Sequence, residues 1–314
     1  MDPFEAPDTS ESDFPGFTKW VERDACCFKT KYIPALDASF CGHWEIKPLV
    51  PIGVFLLSIS SFVVSVVYIF PYLGSEKIVA IPLISVIFVL YLVSYVRIIV
   101  DGPGYYPFFW GYKTSEPPGT FLMEDFINDD NDIMAGVIST EQQLEWAKLQ
   151  PKPPRSILSR SARRIILRPD HLCSWTETWI GKRNHKFFLL FNMYCFLYLF
   201  VFVVYDARIV TLIANTQQPV SVRMALGIAG FVAAAFVLMT GSFLATTCYD
   251  AFSNRTSWEQ WNNIDFKKYD KGFISNLEDV FGPRNQWFWW FCPVSPWKGK
   301  SNDEISNGYL SYYD

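Results

Sequence analysis

The sequence predicts an all-α polytopic membrane protein with four transmembrane helices. A large cytosolic insert lies between helices 2 and 3, and a cytosolic C-terminal segment follows helix 4. Three observations carry this expectation. Half of the 314 residues are apolar and only 18% are charged, against roughly 25% in soluble domains. The apolar residues gather into four runs, at residues 49–73, 78–100, 187–205 and 222–249. A helix needs about 20 apolar residues to cross a hydrocarbon core of about 30 Å. Finally, the basic residues fall unevenly about these runs.

Residues 1–48 read as a polar and aromatic N-terminal arm. Its first 20 residues are acidic and polar, without the apolar core of a cleavable signal peptide. Cys26 and Cys27 are adjacent near the first span, where cysteines are either structural or lipid-modified. Residues 49–100 hold spans 1 and 2. The first run has no charge, and Arg97 near the end of the second can snorkel. Residues 187–249 hold spans 3 and 4, charged only at their connection, taken as residues 206–221, and at Arg223.

Residues 101–186 form the insert. They carry 11 Lys/Arg, seven of them at positions 160–186, close to span 3. Positive-inside bias puts this insert and both termini in the cytosol. The acidic stretch 124–132 reads as a solvated face. Residues 250–314 form a tail containing Asn-Gln-Trp-Phe-Trp-Trp-Phe at 285–291. That cluster suits an interfacial segment or a contact packed against the spans. The net charge of −4 gives no basic field for nucleic acid. Seven cysteines, an odd number, do not suggest a disulfide framework. Paired intramembrane charges and interrupted repeats, which a transporter would use, are missing from the runs.

The chemistry concentrates ahead of span 3. Asp170, His171 and Cys173 lie within four residues. A thiol becomes a good nucleophile when a base or cation lowers its pKa. An imidazole can take the proton, and a carboxylate can orient and support that imidazole. Cys173 stands 14 residues before Phe187, which suits a thiol at the membrane face. Among the three histidines, His43, His171 and His185, His171 is the base candidate with the best-paired neighbour. Glu177 and His185 are the nearby alternatives.

This segment resembles the cysteine-rich domain of the DHHC protein S-acyltransferases, or palmitoyltransferases. The shared residues are Lys152-Pro-Pro-Arg155-Ser156, Leu167-Arg168, Asp170-His171, Cys173, Trp175, Ile180-Gly181, Asn184 and Phe187-Phe188. Three other blocks agree in order and spacing. They are Asp101-Gly-Pro-Gly104 with Pro107, Thr256-Ser-Trp-Glu259, and Tyr269-Asp270 with Gly272, Asn276 and Phe281-Gly282. With the four spans, the resemblance covers roughly residues 49–297.

The resemblance implies a cysteine-rich-domain-like insert at 101–186 and a long-chain acyl-CoA, such as palmitoyl-CoA, as substrate. Cys173 would be the acylated nucleophile, His171 its base and Asp170 the orienting group. Acyl transfer would go to cysteines of cytosolic or membrane-associated proteins near the bilayer. Tyr198 would mark the end of an acyl cavity and Trp175 its mouth. Arg155, Lys182 and Arg183 are candidates for CoA phosphates, although positive-inside charge explains them equally well. Thr256 and Asn276 would support the site, with a helix cap as the alternative role of Thr256. The membrane would be endomembrane (ER or Golgi) or plasma membrane, and an accessory subunit would fit.

The sequence also departs from the family. The signature reads Asp-His-Leu-Cys, with Leu172 where the family has a zinc-binding histidine. The other ligand positions hold Glu145, Lys148, Leu158, Ser159, Ala162, Ile165 and Trp179. Zinc needs a closed set of four N or S ligands, so no zinc is expected and no resident cofactor. Leu158, Ile165, Ile166, Leu172, Trp175 and Trp179 are the candidates for an apolar core replacing the metal cores. Ser174 stands at a family proline, and Glu177 and Thr178 at family asparagines. The other reading of such a chain is a catalytically inactive membrane scaffold or adaptor of the same fold.

Overall fold

The computed structural model describes residues 21–25, 28–33, 38–42, 44–105, 154–159, 161–162, 164–214, 217–300 and 302–305. Cys26 and Cys27, the acidic stretch at 124–132, and Glu145 and Lys148 lie outside the described residues.

Among the described residues, four helices are long and apolar enough to cross a membrane, and the chain is a multi-pass integral membrane protein. α1 spans Leu49–Val64, widens into a π turn at Ser65–Ile69 and ends in a tighter 3-10 turn at Phe70–Tyr72. α2 spans Lys77–Asp101. It stops at Gly102, whose φ of 62° needs a residue without a Cβ, and Pro103 then bars continuation. α3 spans His185–Ile213 and α4 spans Val220–Phe252. α3 is the central helix, packing chiefly against α2 and α4. Its inner face carries Leu190, Tyr194, Tyr198 and Phe202 in the main core cluster, a helical repeat of three to four residues.

Span 3 outruns its apolar stretch. Hydropathy falls at Asp206 and Arg208, so the sequence reading began a loop there. The helix instead continues to Ile213 and carries both charges. Arg208 Nη1 pairs with Glu76 Oε1 at 2.6 Å. Asp206 is buried against Gly230 of α4, where an added Cβ would lie 2.1 Å from its carboxylate.

The membrane part is all helix, and the segments outside it add short antiparallel hairpins. β1 to β4 (Val21–Ala25, Phe28–Ile33, Ala38–Cys41 and Trp44–Glu45) form a meander ahead of α1. β5 (Ser156–Ser159) pairs with β6 (Arg164–Leu167), and β7 (His171–Cys173) pairs with β8 (Thr178–Ile180). β6 also bridges Tyr105, just beyond α2.

After α4, a capping box starts α5 (Ser257–Trp261). Thr256 accepts from Glu259 N at 3.2 Å, and Glu259 accepts from Thr256 N at 3.0 Å. α6 (Phe273–Phe281) lies between two glycines of positive φ, Gly272 and Gly282. A 3-10 turn at Arg284–Trp289 and a short α7 (Asn302–Ile305) complete the described tail.

The positions that the family uses for zinc hold other contacts. Ile165, Ile166 and Trp179 are buried. Ile166, Trp179 and Tyr105 form one cluster with Ile157, Ala162 and Trp258. Trp179 Nε1 donates to Ser161 Oγ at 3.1 Å, and Ser159 and Ser161 share a hydroxyl bond of 2.9 Å. Leu172 and Trp175 do not join this core. Leu172 is 48% exposed and Trp175 39% exposed, and both line a membrane cavity instead. Leu172 alternates with Cys173 on β7 and stays off the packed cluster that Cys173 joins. The side chain of Leu158 lies outside the described residues. Among the described residues, no group of three or more His, Cys, Asp or Glu side chains converges on a point. The residues present therefore do not fit the two zinc ions of the family pattern.

Candidate active site

Local chain geometry assembles the site. His171 and Cys173 are two residues apart on β7, and alternation on a strand turns both to one face. The hairpin partner β8 fixes that register, setting His171 against Ile180 and Cys173 against Thr178. Beyond β8 the chain turns at Gly181. A Cβ there would meet the backbone oxygens of Leu167 and Pro103, each at 2.8 Å. Buried Asn184 then ties three elements together. Its side chain accepts from Gly181 N and donates to Ile98 O of α2 and Trp179 O of β8.

Asp170 is buried and both of its oxygens are engaged. Oδ2 lies 2.7 Å from His171 Nδ1, and Oδ1 accepts from Ser257 N at 2.8 Å. The second contact comes from the first turn of α5, so the Thr256 cap helps to aim a backbone N–H at Asp170. With Nδ1 turned to Asp170, the other ring nitrogen is left for the Cys173 thiol on the same strand face, and the two groups shift each other's proton affinity. The Phe188 ring meets the imidazole edge-on at 4.9 Å.

Burial alone would raise the Asp170 carboxyl and the Cys173 thiol and lower the His171 imidazole. The mutual contacts win in each case. Asp170 is held down to about 2 by its bond with His171, assisted by Ser257 N. His171 rises to about 9 through Asp170 and Cys173. The thiol is lowered by the imidazole and by Thr176. Such a chain favours a thiolate beside an imidazolium.

His171 and Cys173 face a cavity of about 510 Å³ between the spans, lined by residues of all four helices. Cys173 is 4% exposed, so its opening is toward this cavity. Trp175 lies at the same end, edge-on to Phe236 of α4, with its carbonyl accepting from Tyr95 OH. Tyr198 lines the cavity deeper in α3, ten residues beyond Phe188, or about 15 Å along the helix. Its hydroxyl meets Ser61 Oγ at 3.1 Å, and its ring packs on Phe88. Ser61 gave no signal in the sequence, because a serine within a span is ordinary.

The three basic candidates are brought elsewhere. Arg155 Nε and Nη2 grip Glu259 at 2.6 and 2.7 Å, while Nη1 and Nη2 also bond Asn254. Lys182 Nζ donates to Asp279 O at 3.1 Å and sits over the Trp297 ring. Burial, with the nearby Arg168 charge, lowers Lys182 to about 7, which weakens it as a cation at neutral pH. Arg183 is more exposed and donates to Lys300 O. None of the three lines the cavity. They serve a junction between the hairpins and the tail, centred on Asn254. Its Oδ1 accepts from both Arg155 and Arg168, and its Nδ2 donates to Tyr269 O and Asp279. Asn254 has a φ of 47°, a conformation asparagine tolerates well. Buried Asn276 locks the same tail by donating to Phe252 O and Asp270 Oδ1.

The aromatic tail cluster is both exposed and anchored. Lys186 Nζ at the start of α3 donates to Trp289 O and Val294 O, and Tyr194 OH donates to Phe291 O. Trp287, Phe288, Trp289 and Phe291 are exposed beside these anchors.

Comparison with known proteins agrees with this geometry. Residues 138–264 match a family model described as DHHC palmitoyltransferase. The chain is 32% identical over 164 residues to "Probable protein S-acyltransferase 12" of Arabidopsis thaliana, covering 50% of this chain and 53% of that protein. It is 27% identical over 150 residues to "Palmitoyltransferase ZDHHC2" of Mus musculus, covering 46% and 40%. A third relative is "Palmitoyltransferase PFA3" of Yarrowia lipolytica, 27% identical over 177 residues, covering 46% and 44%. The chain thus spans about half the length of these curated relatives. The resemblance to the DHHC acyltransferases is borne out, with the family's metal ligands replaced.

Proposed function

We propose that this divergent relative of the DHHC palmitoyltransferases is itself a protein S-acyltransferase. The observation that supports this best is the Asp170–His171–Cys173 chain opening on an apolar cavity between four spans. In this reading, palmitoyl-CoA or a similar long-chain acyl-CoA lays its tail in the cavity toward Tyr198. Its head stays at the cytosolic face, where positive-inside bias puts the insert and both termini.

The Cys173 thiolate attacks the thioester carbonyl carbon. A C–S bond forms to Cys173, the bond to the CoA sulfur breaks, and the leaving thiolate takes a proton from the His171 imidazolium. A substrate-protein cysteine then gives its proton to His171 and attacks the acyl-Cys173 carbonyl. Its own thioester forms, and the Cys173 thiolate leaves beside a restored imidazolium. Asp170 supports that charge throughout. Thr256 and Asn276 act as positioning residues, the first through Ser257 N and the second through the tail. Arg155 and Lys182 act by holding the junction, and Arg183 by its bond to the tail at Lys300 O.

Purified protein is incubated with labelled palmitoyl-CoA. The expected result is a hydroxylamine-sensitive label on wild type and none on Cys173→Ser. Equal labelling of the two would remove Cys173 as nucleophile. Absence of label on both, with protein substrate present or not, would favour the scaffold reading, which draws on the missing ligand set.

A further inference from the structure

The cavity is apolar in character, yet it contains several polar groups. Almost all of them are satisfied by the protein. Ser58, Ser60, Ser61 and Thr240 donate back to carbonyls three or four residues earlier in their own helices. The hydroxyls of Tyr91 and Tyr198 pair with Ser58 and Ser61. Among the buried polar residues that line it, Asn192 is the exception. It lines the cavity and is 2% exposed. Its carboxamide makes one hydrogen bond among the described residues, from Nδ2 to Phe188 O at 2.8 Å. The amide oxygen and the second N–H have no partner there.

Position narrows what this amide can meet. Phe188, one turn earlier, touches the His171 ring and packs in one cluster with Cys173. Asn192 follows about 6 Å along the helix, whereas Tyr198 follows at about 15 Å. The amide therefore stands in the part of the cavity nearest the thiol. Its bond to Phe188 O holds the side chain against its own helix, so the remaining donor and acceptor are oriented in advance. A buried amide with open hydrogen-bonding capacity carries a desolvation cost that an apolar occupant would leave standing. A methylene chain offers it nothing, and an oxygen at the carboxyl end of the chain does.

We propose that Asn192 is the polar contact for the acyl group, hydrogen-bonding an oxygen at the carboxyl end of the chain. That oxygen belongs to the thioester carbonyl or to a hydroxyl a few carbons beyond it. The inference rests on reading the cavity as an acyl site. A carbonyl partner makes Asn192 a donor to the oxyanion formed during each transfer. A hydroxyl partner makes it a selector for hydroxylated acyl donors.

Asn192→Leu keeps the volume and removes the hydrogen bonding. Loading of Cys173 is timed with palmitoyl-CoA and with 3-hydroxypalmitoyl-CoA, and melting temperature is followed in parallel. Loss of about 10²-fold with both donors, the size expected for one oxyanion donor, identifies the carbonyl. Loss confined to the hydroxylated donor, about tenfold for one hydrogen bond, identifies the hydroxyl. Asn192→Ser, which keeps a donor and an acceptor, recovers part of either loss, whereas a packing defect would not. The infrared carbonyl band of the acyl-enzyme shifts to higher frequency in Asn192→Leu in the first case only. Unchanged rates with both donors overturn the proposal. If wild type does not load at all, the acyltransferase reading fails separately. Binding of the two donors to Cys173→Ala, with Asn192 or Leu at position 192, then decides: equal affinities in both backgrounds overturn the role of Asn192.

Discussion

In the proposed reaction the chemistry turns on His171, because its two neighbours push its proton affinity the same way. A raised imidazole and a lowered thiol keep the charged pair populated across the neutral range. Loading of Cys173 should therefore fall on an acid limb below the ordinary thiol value, and His171→Ala should move that limb upward. A pH–rate profile of acyl uptake checks this, and an unmoved limb would count against the pairing. Stability carries the same signs. The His171 contribution is complete below its ordinary value of 6.5 and is lost as pH rises through about 9. The Asp170 contribution is complete above its ordinary 3.8 and is lost as pH falls toward about 2. Deeper in the cavity, Tyr198→Ala should raise the labelling ratio of stearoyl-CoA to palmitoyl-CoA. An unchanged ratio would mean that Tyr198 does not bound the chain. Of these residues, Asp170, His171 and Cys173 were legible in the sequence as a close cluster, and Trp175 and Tyr198 only through the family resemblance. Ser61, Ser257 N and Asn192 were not. A serine or asparagine in a span has many roles, and a backbone N–H has no sequence signature at all.

At the scale of elements, the site depends on a junction that holds hairpin β5–β6, and with it the chain entering β7, against the segment after α4. Arg155 and Glu259 are both largely buried there, with side-chain exposures of 12% and 6%. Arg155→Ala would leave Glu259 without its partner. A loss of about 3–5 kcal/mol is expected for a broken buried pair, read as a lower melting temperature. Thr256→Ala should cost about 1 kcal/mol through the lost cap. It should also slow acyl loading, because Ser257 N loses its aim at Asp170. Normal loading in a destabilised Thr256→Ala protein would restrict Thr256 to capping. The sequence showed Arg155 and Lys182 as basic residues near the membrane and suggested phosphate contacts. It could not show that Glu259, 104 residues away, would claim the guanidinium. Long-range pairing of this kind is decided by the fold and leaves no local pattern.

For the molecule as a whole, the fold stands without the family's metal ligands. An apolar cluster around Ile166 and Trp179, a serine pair and the Arg155–Asn254–Arg168 network occupy the region instead. A strong chelator should leave the melting temperature and the acyl-loading rate unchanged, and a fall in either would reinstate a metal. The spans were legible because a lipid-crossing helix needs a long apolar run, which is the strongest signal a sequence carries. The hairpins were less so, since strands of two to six residues give little periodicity. The substitution of Leu172 shows the same limit: residue type suggested a core position, while the strand turned it outward.

One flank of the cavity has a physical consequence for the donor. Leu57 of α1 and Ile228 of α4 line it and are also exposed on the outer face of the bundle. Within a bilayer, the tail of a neighbouring lipid would fill a groove open to hydrocarbon. In the proposed reaction, loading would then exchange one greasy chain for another, with little net hydrophobic gain. Discrimination between donors must come from the head group, the length stop and the few polar contacts. In detergent, the surfactant's own tails become the competitors to be displaced.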